Sequence, residues 1–320
     1  MTNNERMLVR CVCEGDIVKS QQAAKILLNE MSTKKDEQFK QNMLQKLKEK
    51  EQKFIELPVN VRDILIAENT ENFPEERFLL RTDEEKSVNK LLDVYAAAEK
   101  LSKLNIAYLP ALMLYGPSGT GKTMLARYIA HKAEMPFVYV RFSALISSYL
   151  GGTQSKLAKI FEYVRTMPCV LCFDEIDAVG MARGQKQDVG EMNRIVISLM
   201  QELDTLPNNV IVVGTTNRFD RLDDALVRRF PLQQEVRKLS CADAEKLALK
   251  FFVSAGVNTE TWFESWFSKL TPSGMSNAER CFSSDADLYF SAADIVKKCT
   301  EKIVELTIEE TQAENEVKTL

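Results

Sequence analysis

The residues with the clearest chemistry are consecutive: Gly116, Pro117, Ser118, Gly119, Thr120, Gly121, Lys122 and Thr123, with Met124 following. They fit G-x-x-x-x-G-K-[ST], a loop that cradles phosphate. Gly116, Gly119 and Gly121 let the backbone curl so that successive N–H groups face one point. The N-terminus of the helix expected next adds partial positive charge there. Lys122 is placed to reach β- and γ-phosphates, and the Thr123 hydroxyl to ligate Mg²⁺. The flanks agree. Residues 111–115 read as a buried strand, and residues 124–133 have helical spacing with Leu125, Tyr128 and Ile129 on one face.

Two further stretches supply what phosphate binding alone lacks. Cys169-Val-Leu-Cys-Phe-Asp-Glu-Ile-Asp177 ends an apolar run on paired carboxylates. Cleaving a nucleoside triphosphate needs one acid to hold Mg²⁺ and a second to activate the attacking water; Asp174 suits the first role and Glu175 the second. Val213-Gly-Thr-Thr-Asn217 ends another apolar run on an amide. At the carboxyl edge of a sheet, Asn217 can orient the water or touch the γ-phosphate.

The elements that must position these residues alternate along the chain. Runs at residues 137–140, 169–173, 210–213 and 232–236 read as strands besides 111–115, with helical patterns between them. Strands apolar throughout form a parallel sheet covered on both faces. In open α/β sheets ligands sit beyond the carboxyl ends of the strands, where the loop lies. Residues 5–55 look wholly helical, and Leu57-Pro58 breaks that pattern. Thr82-Asp-Glu-Glu85 has capping-box spacing before a long helix, and Ser291-Ala-Ala-Asp294 is a second capping signal. From Ser240 onward only helical patterns remain. The expected organisation is an α/β fold, a P-loop parallel sheet flanked by helices, with a helical N-terminal region and a small all-helical C-terminal lid. Its boundaries are a helical domain at 1–56, a linker at 57–82, the nucleotide-binding domain at 83–238, the lid at 239–310 and a frayed tail at 311–320.

Bulk composition narrows the function. The chain has 320 residues and a net charge of −4, with no global basic signature for nucleic acid. No apolar run approaches the roughly 18–20 residues of a membrane span, and residues 1–6 lack a secretory pattern; a cytoplasmic protein is expected. The interleaved glutamates of the lysine-rich stretch 46–53 favour a solvated helix face over a nucleic-acid surface. Seven cysteines at irregular positions make no disulfide framework, and Cys169 and Cys172 read as small core residues. The single histidine, His131, reads as a solvated helix-end residue. One histidine excludes an H-E-x-x-H zinc protease, which needs two.

Taken in order, these motifs resemble the AAA+ ATPase superfamily, specifically its AAA clade, over residues of about 85–300. The modules that look most similar are katanin-, spastin- and FtsH-like, in a compact bacterial-type member with a helical N-terminal extension. Residues 116–123 resemble Walker A, 169–175 Walker B and 215–217 sensor 1. Arg221-Leu-Asp-Asp-Ala-Leu-Val-Arg-Arg-Phe230 resembles the second region of homology. In the family that segment supplies arginine fingers to the neighbouring subunit's ATP, and Arg228 and Arg229 match them. Ser147-Ser-Tyr-Leu-Gly-Gly152 is similar to the pore loop, so that Tyr149 would grip substrate polypeptide, Leu150 would back it and Gly151 would turn the loop. A second pore loop falls within 181–190. For sensor 2, Ser273-Gly-Met-Ser-Asn-Ala278 and Ser291-Ala-Ala-Asp294 are rival matches, with Arg280 a candidate finger.

The resemblance implies an ATPase (ATP and water to ADP and phosphate) that uses Mg²⁺. It would act as a ring, expected to be a hexamer, and unfold or remodel proteins threaded past Tyr149. The N-terminal helical domain would engage substrate or adaptor, and a separate protease is a possible partner. The alternative is a nucleic-acid-associated AAA+ ATPase of the helicase-loader or transposition type. A scaffold that hydrolyses little is a third reading, disfavoured by the intact Glu175, Asn217, Arg228 and Arg229.

Overall fold

The structure is a computed structural model that describes residues 3–13, 23–24, 26–28, 39–43, 57, 61–104, 106, 108–142, 152–180, 189–270 and 290–319. The chain divides into two compact units, Met1–Glu56 and Leu57–Leu320. In the first, α1 spans Asn3–Cys13, and the unit's other described residues are also helical.

The second unit is built on a six-stranded sheet. Its strands are β1 (Leu65–Glu68), β2 (Ala111–Tyr115), β3 (Phe137–Arg141), β4 (Cys169–Asp174), β5 (Val210–Thr216) and β6 (Leu232–Glu235), in the spatial order β1-β3-β4-β5-β2-β6. Strands β2 to β6 are mutually parallel. Strands β2 to β5 are the expected apolar runs, whereas β6, at the sheet's edge, alternates buried and exposed residues. Strand β1 adds an antiparallel edge, Leu65 opposite Val140. The segment expected as a linker, residues 57–82, therefore contributes to the sheet. Val61, Ile64 and Leu65 are buried in the main core; this apolar run is too short to show a period, and only its pairing with β3 makes it a strand.

Alternation along the strands separates two cores. Ala111, Met113, Val138, Val140, Cys169, Leu171, Phe173, Val210 and Val212 face α4 (Thr153–Val164) and α6 (Val189–Asp204). Leu112, Leu114, Phe137, Val170, Cys172, Ile211 and Val213 face α2 (Thr82–Lys103) and α3 (Lys122–Lys132). Each buried aliphatic side chain contributes about 1.5–3 kcal/mol, so a one-residue register slip, which would invert both faces, is excluded. Cys169 and Cys172 lie in opposite cores. Burial pushes the Cys169 thiol up to about 12 and that of Cys172 well above its usual value, as inert core thiols require.

The start of α2 differs by one residue from the Thr82–Glu85 signal. The Glu84 carboxylate accepts the Arg81 backbone N–H at 3.1 Å, so Arg81 stands at the cap and Glu84 makes the reach-back of a capping box. His131 is not a solvated helix end. Its Nδ1 lies 2.7 Å from the Thr70 carbonyl, its Nε2 2.8 Å from Glu75, and its ring stacks on Phe73. Phe73 and Phe78 also pack on Tyr128 of α3.

Short helical turns α5 (Asp177–Gly180) and α7 (Asp224–Val227) follow β4 and precede β6. Beyond β6, α8 (Cys241–Ser254), α9 (Phe263–Leu270) and α10 (Ala292–Thr319) enclose a third core around Leu247, Phe252, Phe267 and Ile295. Phe252 meets Trp262 and Trp266 edge-on. The tail expected to fray from Thr311 is helical to Thr319. Strong helix formers and the i,i+3 pairs Lys298–Glu301 and Lys302–Glu305 upstream carry the helix on. No helix among the described residues is long and apolar enough to cross a membrane.

Candidate active site

The loop from β2 to α3 lies at the carboxyl edge of the sheet, with β5 on one side of β2 and β6 on the other. Gly116 has φ 138°, and a Cβ there would sit 2.3 Å from the Val236 carbonyl oxygen, so only glycine fits. Gly119 (φ 77°) accepts the Ala293 N–H at 3.0 Å, which docks the start of α10 on the loop. Gly121 precedes α3 in the left-handed region without a side-chain cap. The first N–H groups of that helix thus remain available to an anion.

Lys122 is buried and curled over the loop. Its Nζ donates to the Gly116 carbonyl at 2.8 Å, the Pro117 carbonyl at 2.7 Å and Asn217 Oδ1 at 2.6 Å. Burial lowers its pKa, partly offset by Asp174, Asp177 and Glu175. Thr120 Oγ1 also donates to the Pro117 carbonyl, at 3.0 Å, while Ser118 and Met124 are exposed beside it.

Asp174 ends β4 on the same face as α3. Its Oδ1 accepts hydroxyls from Thr123 at 3.0 Å and Thr215 at 2.5 Å, and its Oδ2 accepts Tyr139 at 2.9 Å. Burial, and secondarily the bond to Asp174, raise the Tyr139 pKa. Thr123 Oγ and the Asp174 carboxylate form an all-oxygen set. That suits Mg²⁺, which takes one or two carboxylates together with substrate phosphates. Among the described residues no cluster of three or more His, Cys, Asp or Glu side chains could hold a metal by itself.

The next residue, Glu175, is exposed with φ 52°. A left-handed non-glycine residue costs roughly 1–3 kcal/mol. Two bonds to β5 hold the turn: Glu175 N–H to Thr215 Oγ1 at 3.1 Å and Ile176 N–H to the Thr215 carbonyl at 3.0 Å. Asn217 sits at a corner fixed by the Arg218 N–H bond to Thr216 Oγ1 and by Phe219 stacking on Tyr115.

These groups share one cavity of about 470 Å³. Its polar end carries Ser118 to Met124, Asp174, Glu175 and Asn217; its apolar wall is Phe78, Leu79, Leu239, Leu247, Phe251 and Val296. Residues 73–81 span this wall. Arg77 donates to Ser254 of α8 at 2.8 Å, and Lys250 of α8 donates to the Phe78 carbonyl at 2.8 Å. Sequence reasoning missed the apolar wall, Tyr139 and the bond that Thr215, within the sensor 1 match, makes to Asp174. Strand parity was the available signal for Tyr139 and Thr215, since both alternate onto the face of Asp174.

Arg228 and Arg229 do not line the cavity. Arg228 is exposed, whereas Arg229 is paired with Asp204 at 2.9 and 3.1 Å and donates to the Ala225 carbonyl at 2.8 Å. Tyr149, Leu150 and Gly151 lie outside the described residues, as do 181–188, 273–278 and Arg280. Ser291 caps α10: the Asp294 N–H donates to its Oγ at 3.1 Å, and its hydroxyl donates to the Asp294 carboxylate at 2.6 Å.

Comparison with known proteins covers this region. Residues 112–238 match the model of the ATPase family associated with various cellular activities (AAA). The peroxisomal ATPase pex6 of Schizosaccharomyces pombe is 42% identical over 123 residues, 37% of this chain and 13% of that protein. The ATP-dependent zinc metalloprotease FtsH 3 of Phytoplasma mali is 37% identical over 152 residues, 46% of this chain and 25% of that protein. The peroxisomal ATPase PEX6 of Saccharomyces cerevisiae is 43% identical over 122 residues, 37% of this chain and 12% of that protein. The matched stretch thus spans a quarter or less of each relative, and it contains the loop, both acids, Asn217 and the paired arginines. Residues 112–238 therefore belong to the AAA family of ATPases, in the AAA clade of the AAA+ superfamily.

Proposed function

We propose that this chain binds ATP with Mg²⁺, hydrolyses it to ADP and phosphate, and uses the cycle to remodel or unfold proteins as a ring, expected to be a hexamer. One observation carries the ATPase reading: Lys122, Thr123, Asp174, Glu175 and Asn217 converge on one cavity. Its apolar wall suits a planar heterocycle, and its polar end the triphosphate. The loop N–H groups and the N-terminus of α3 attract the phosphates, and Lys122 exchanges its three present acceptors for phosphate oxygens. Thr123 and Asp174 would hold Mg²⁺, which when bound neutralises charge on the β- and γ-oxygens. Glu175 takes a proton from water as the water oxygen attacks the γ-phosphorus and the bond to the β-phosphate oxygen breaks. Asn217, released from Lys122, orients that water.

Support for the ring comes from Arg228 and Arg229, which do not line their own chain's cavity; in a ring they would serve a neighbour's. Protein as the substrate is supported by the relatives, a peroxisomal ATPase and an ATP-dependent metalloprotease. Tyr149, Leu150 and Gly151 would grip the threaded polypeptide, and the helical N-terminal unit would engage substrate or adaptor. The present sequence has no H-E-x-x-H, so zinc-dependent proteolysis linked to it would need metal ligands from elsewhere, such as a separate protease.

The test is Glu175→Gln. It is expected to retain ATP, lose turnover by about 10²–10⁴-fold, and hold a stable ring from which bound protein is recovered. Full turnover would remove Glu175 as the base. A Tyr149→Ala ring that still unfolds a folded reporter would remove the threading step alone.

A further inference from the structure

Asp174 is bracketed by one hydroxyl from each strand beside its own. Thr215 of β5 donates to Oδ1 at 2.5 Å, and Tyr139 of β3 donates to Oδ2 at 2.9 Å. The bracket follows from parity. Tyr139 pairs in register with Cys172, and Cys172 and Asp174 project from the same face of β4, so the phenol reaches diagonally along the sheet to the carboxylate. Phe137 lies beside the Tyr139 ring, with centroids 6.4 Å apart, and belongs to the core beneath it. The Thr123 hydroxyl shares Oδ1 with Thr215, so Tyr139 alone among the described residues restrains the other oxygen.

We propose that Tyr139 is a positioning residue for Asp174, holding the carboxylate in the rotamer that receives Mg²⁺ and so setting the metal affinity of the nucleotide-bound protein. The inference rests on the nucleotide-site reading above. A ligating carboxylate left with one oxygen unrestrained rotates, and loss of such a supporting bond typically weakens metal binding about 10–100-fold. The phenol contributes one donor and no charge, so its removal leaves the phosphate cradle of Lys122 and the loop N–H groups intact.

The experiment uses the full chain and a fluorescent ADP analogue. Its affinity is measured first without divalent cation and then across a Mg²⁺ titration, in wild type, Tyr139→Phe, Thr215→Val and Asp174→Asn. Bound Mn²⁺ is counted separately by its electron paramagnetic resonance signal. For Tyr139→Phe the expected result is a Mg²⁺ half-saturation about tenfold higher, a matching loss of bound Mn²⁺, and unchanged metal-free affinity. Phenylalanine preserves the ring, so melting temperature checks that the core is intact. Wild-type half-saturation in Tyr139→Phe, with clear Mg²⁺ coupling in wild type, overturns the role of Tyr139 and leaves the site reading standing. An equal loss of metal-free affinity also overturns it, because that marks a merely structural role. Absence of Mg²⁺ coupling in wild type overturns the site reading and this inference together.

Discussion

Lys122 and Asn217 are bonded to each other across the candidate site, Nζ to Oδ1 at 2.6 Å. The lysine that should meet phosphate is thus held by the amide that should orient water, and neither can do both at once. On the proposed reading nucleotide competes with this bond, which would ready Asn217 as Lys122 is engaged. Asn217→Ala removes one competitor for the ammonium and the water-orienting amide together. Nucleotide affinity is expected to hold or improve, while turnover falls about 10²–10³-fold, the usual loss for one preorganised polar group. Paired measurements of ADP affinity and single-turnover hydrolysis check this; a parallel fall in both would make Asn217 a structural support.

Lys122 also gives the site a pH dependence. Burial lowers its pKa below 10.5, with the nearby carboxylates opposing. The folded protein therefore favours the neutral amine more than the unfolded chain does, and stability attributable to this group rises as pH climbs through the lowered value toward 10.5. Phosphate needs the ammonium, so binding moves the other way. Metal-free ADP affinity is expected to fall as pH rises, beginning below the ordinary lysine range, with proton uptake on binding. Affinity measured from about pH 8 to about pH 10 in wild type and Lys122→Arg checks this, since a guanidinium stays charged throughout. The arginine variant should bind more weakly but with a flat profile.

How much of this was legible follows from which interactions are local. The phosphate loop, the acids ending β4 and the amide after β5 are contiguous stretches whose glycines, apolar runs and polar ends carry their own signal. Tyr139 carries none of that kind. Its alternation was readable, but its meaning depends on β3 lying beside β4, a pairing that no local period encodes. The apolar wall is more distant still, because Phe78, Leu247 and Val296 meet only after α8 and α10 fold back over the loop. The same limit hid β1, which becomes a strand only by pairing with β3.

Arg81 and Glu84 form a nearly buried ion pair at the edge of the cavity. The guanidinium also donates to the Arg237 and Lys238 carbonyls at 3.2 and 3.3 Å, where the sheet hands over to the helical part. Removing one partner of a buried pair leaves the other charge uncompensated, typically at a cost of about 3–5 kcal/mol. Arg81→Ala is expected to destabilise by that amount in denaturant unfolding. Arg81→Ala with Glu84→Leu should recover most of the loss, because the stranded carboxylate is gone. If the double variant is as unstable as the single one, the carbonyl bonds at 237 and 238 carry the energy instead.

In the proposed ring, Arg228 and Arg229 would enter the chemistry where two copies meet. Arg229 rests on Asp204, whose side chain is 53% exposed against 30% for the arginine. An ion pair so open to water contributes at most about 1 kcal/mol, so a neighbour's phosphates can draw Arg229 away. Arg228 is exposed and needs no release. A finger acting in trans is worth about 10³–10⁵ in rate, so Arg228→Ala and Arg229→Ala should each turn over far more slowly while still binding nucleotide. Mixing either with Lys122→Ala subunits distinguishes the geometries. In a ring, some interfaces then pair an intact loop with intact arginines, and turnover should rise above that of either parent, peaking at intermediate ratios. No rise at any ratio would place the arginines' effect within their own chain.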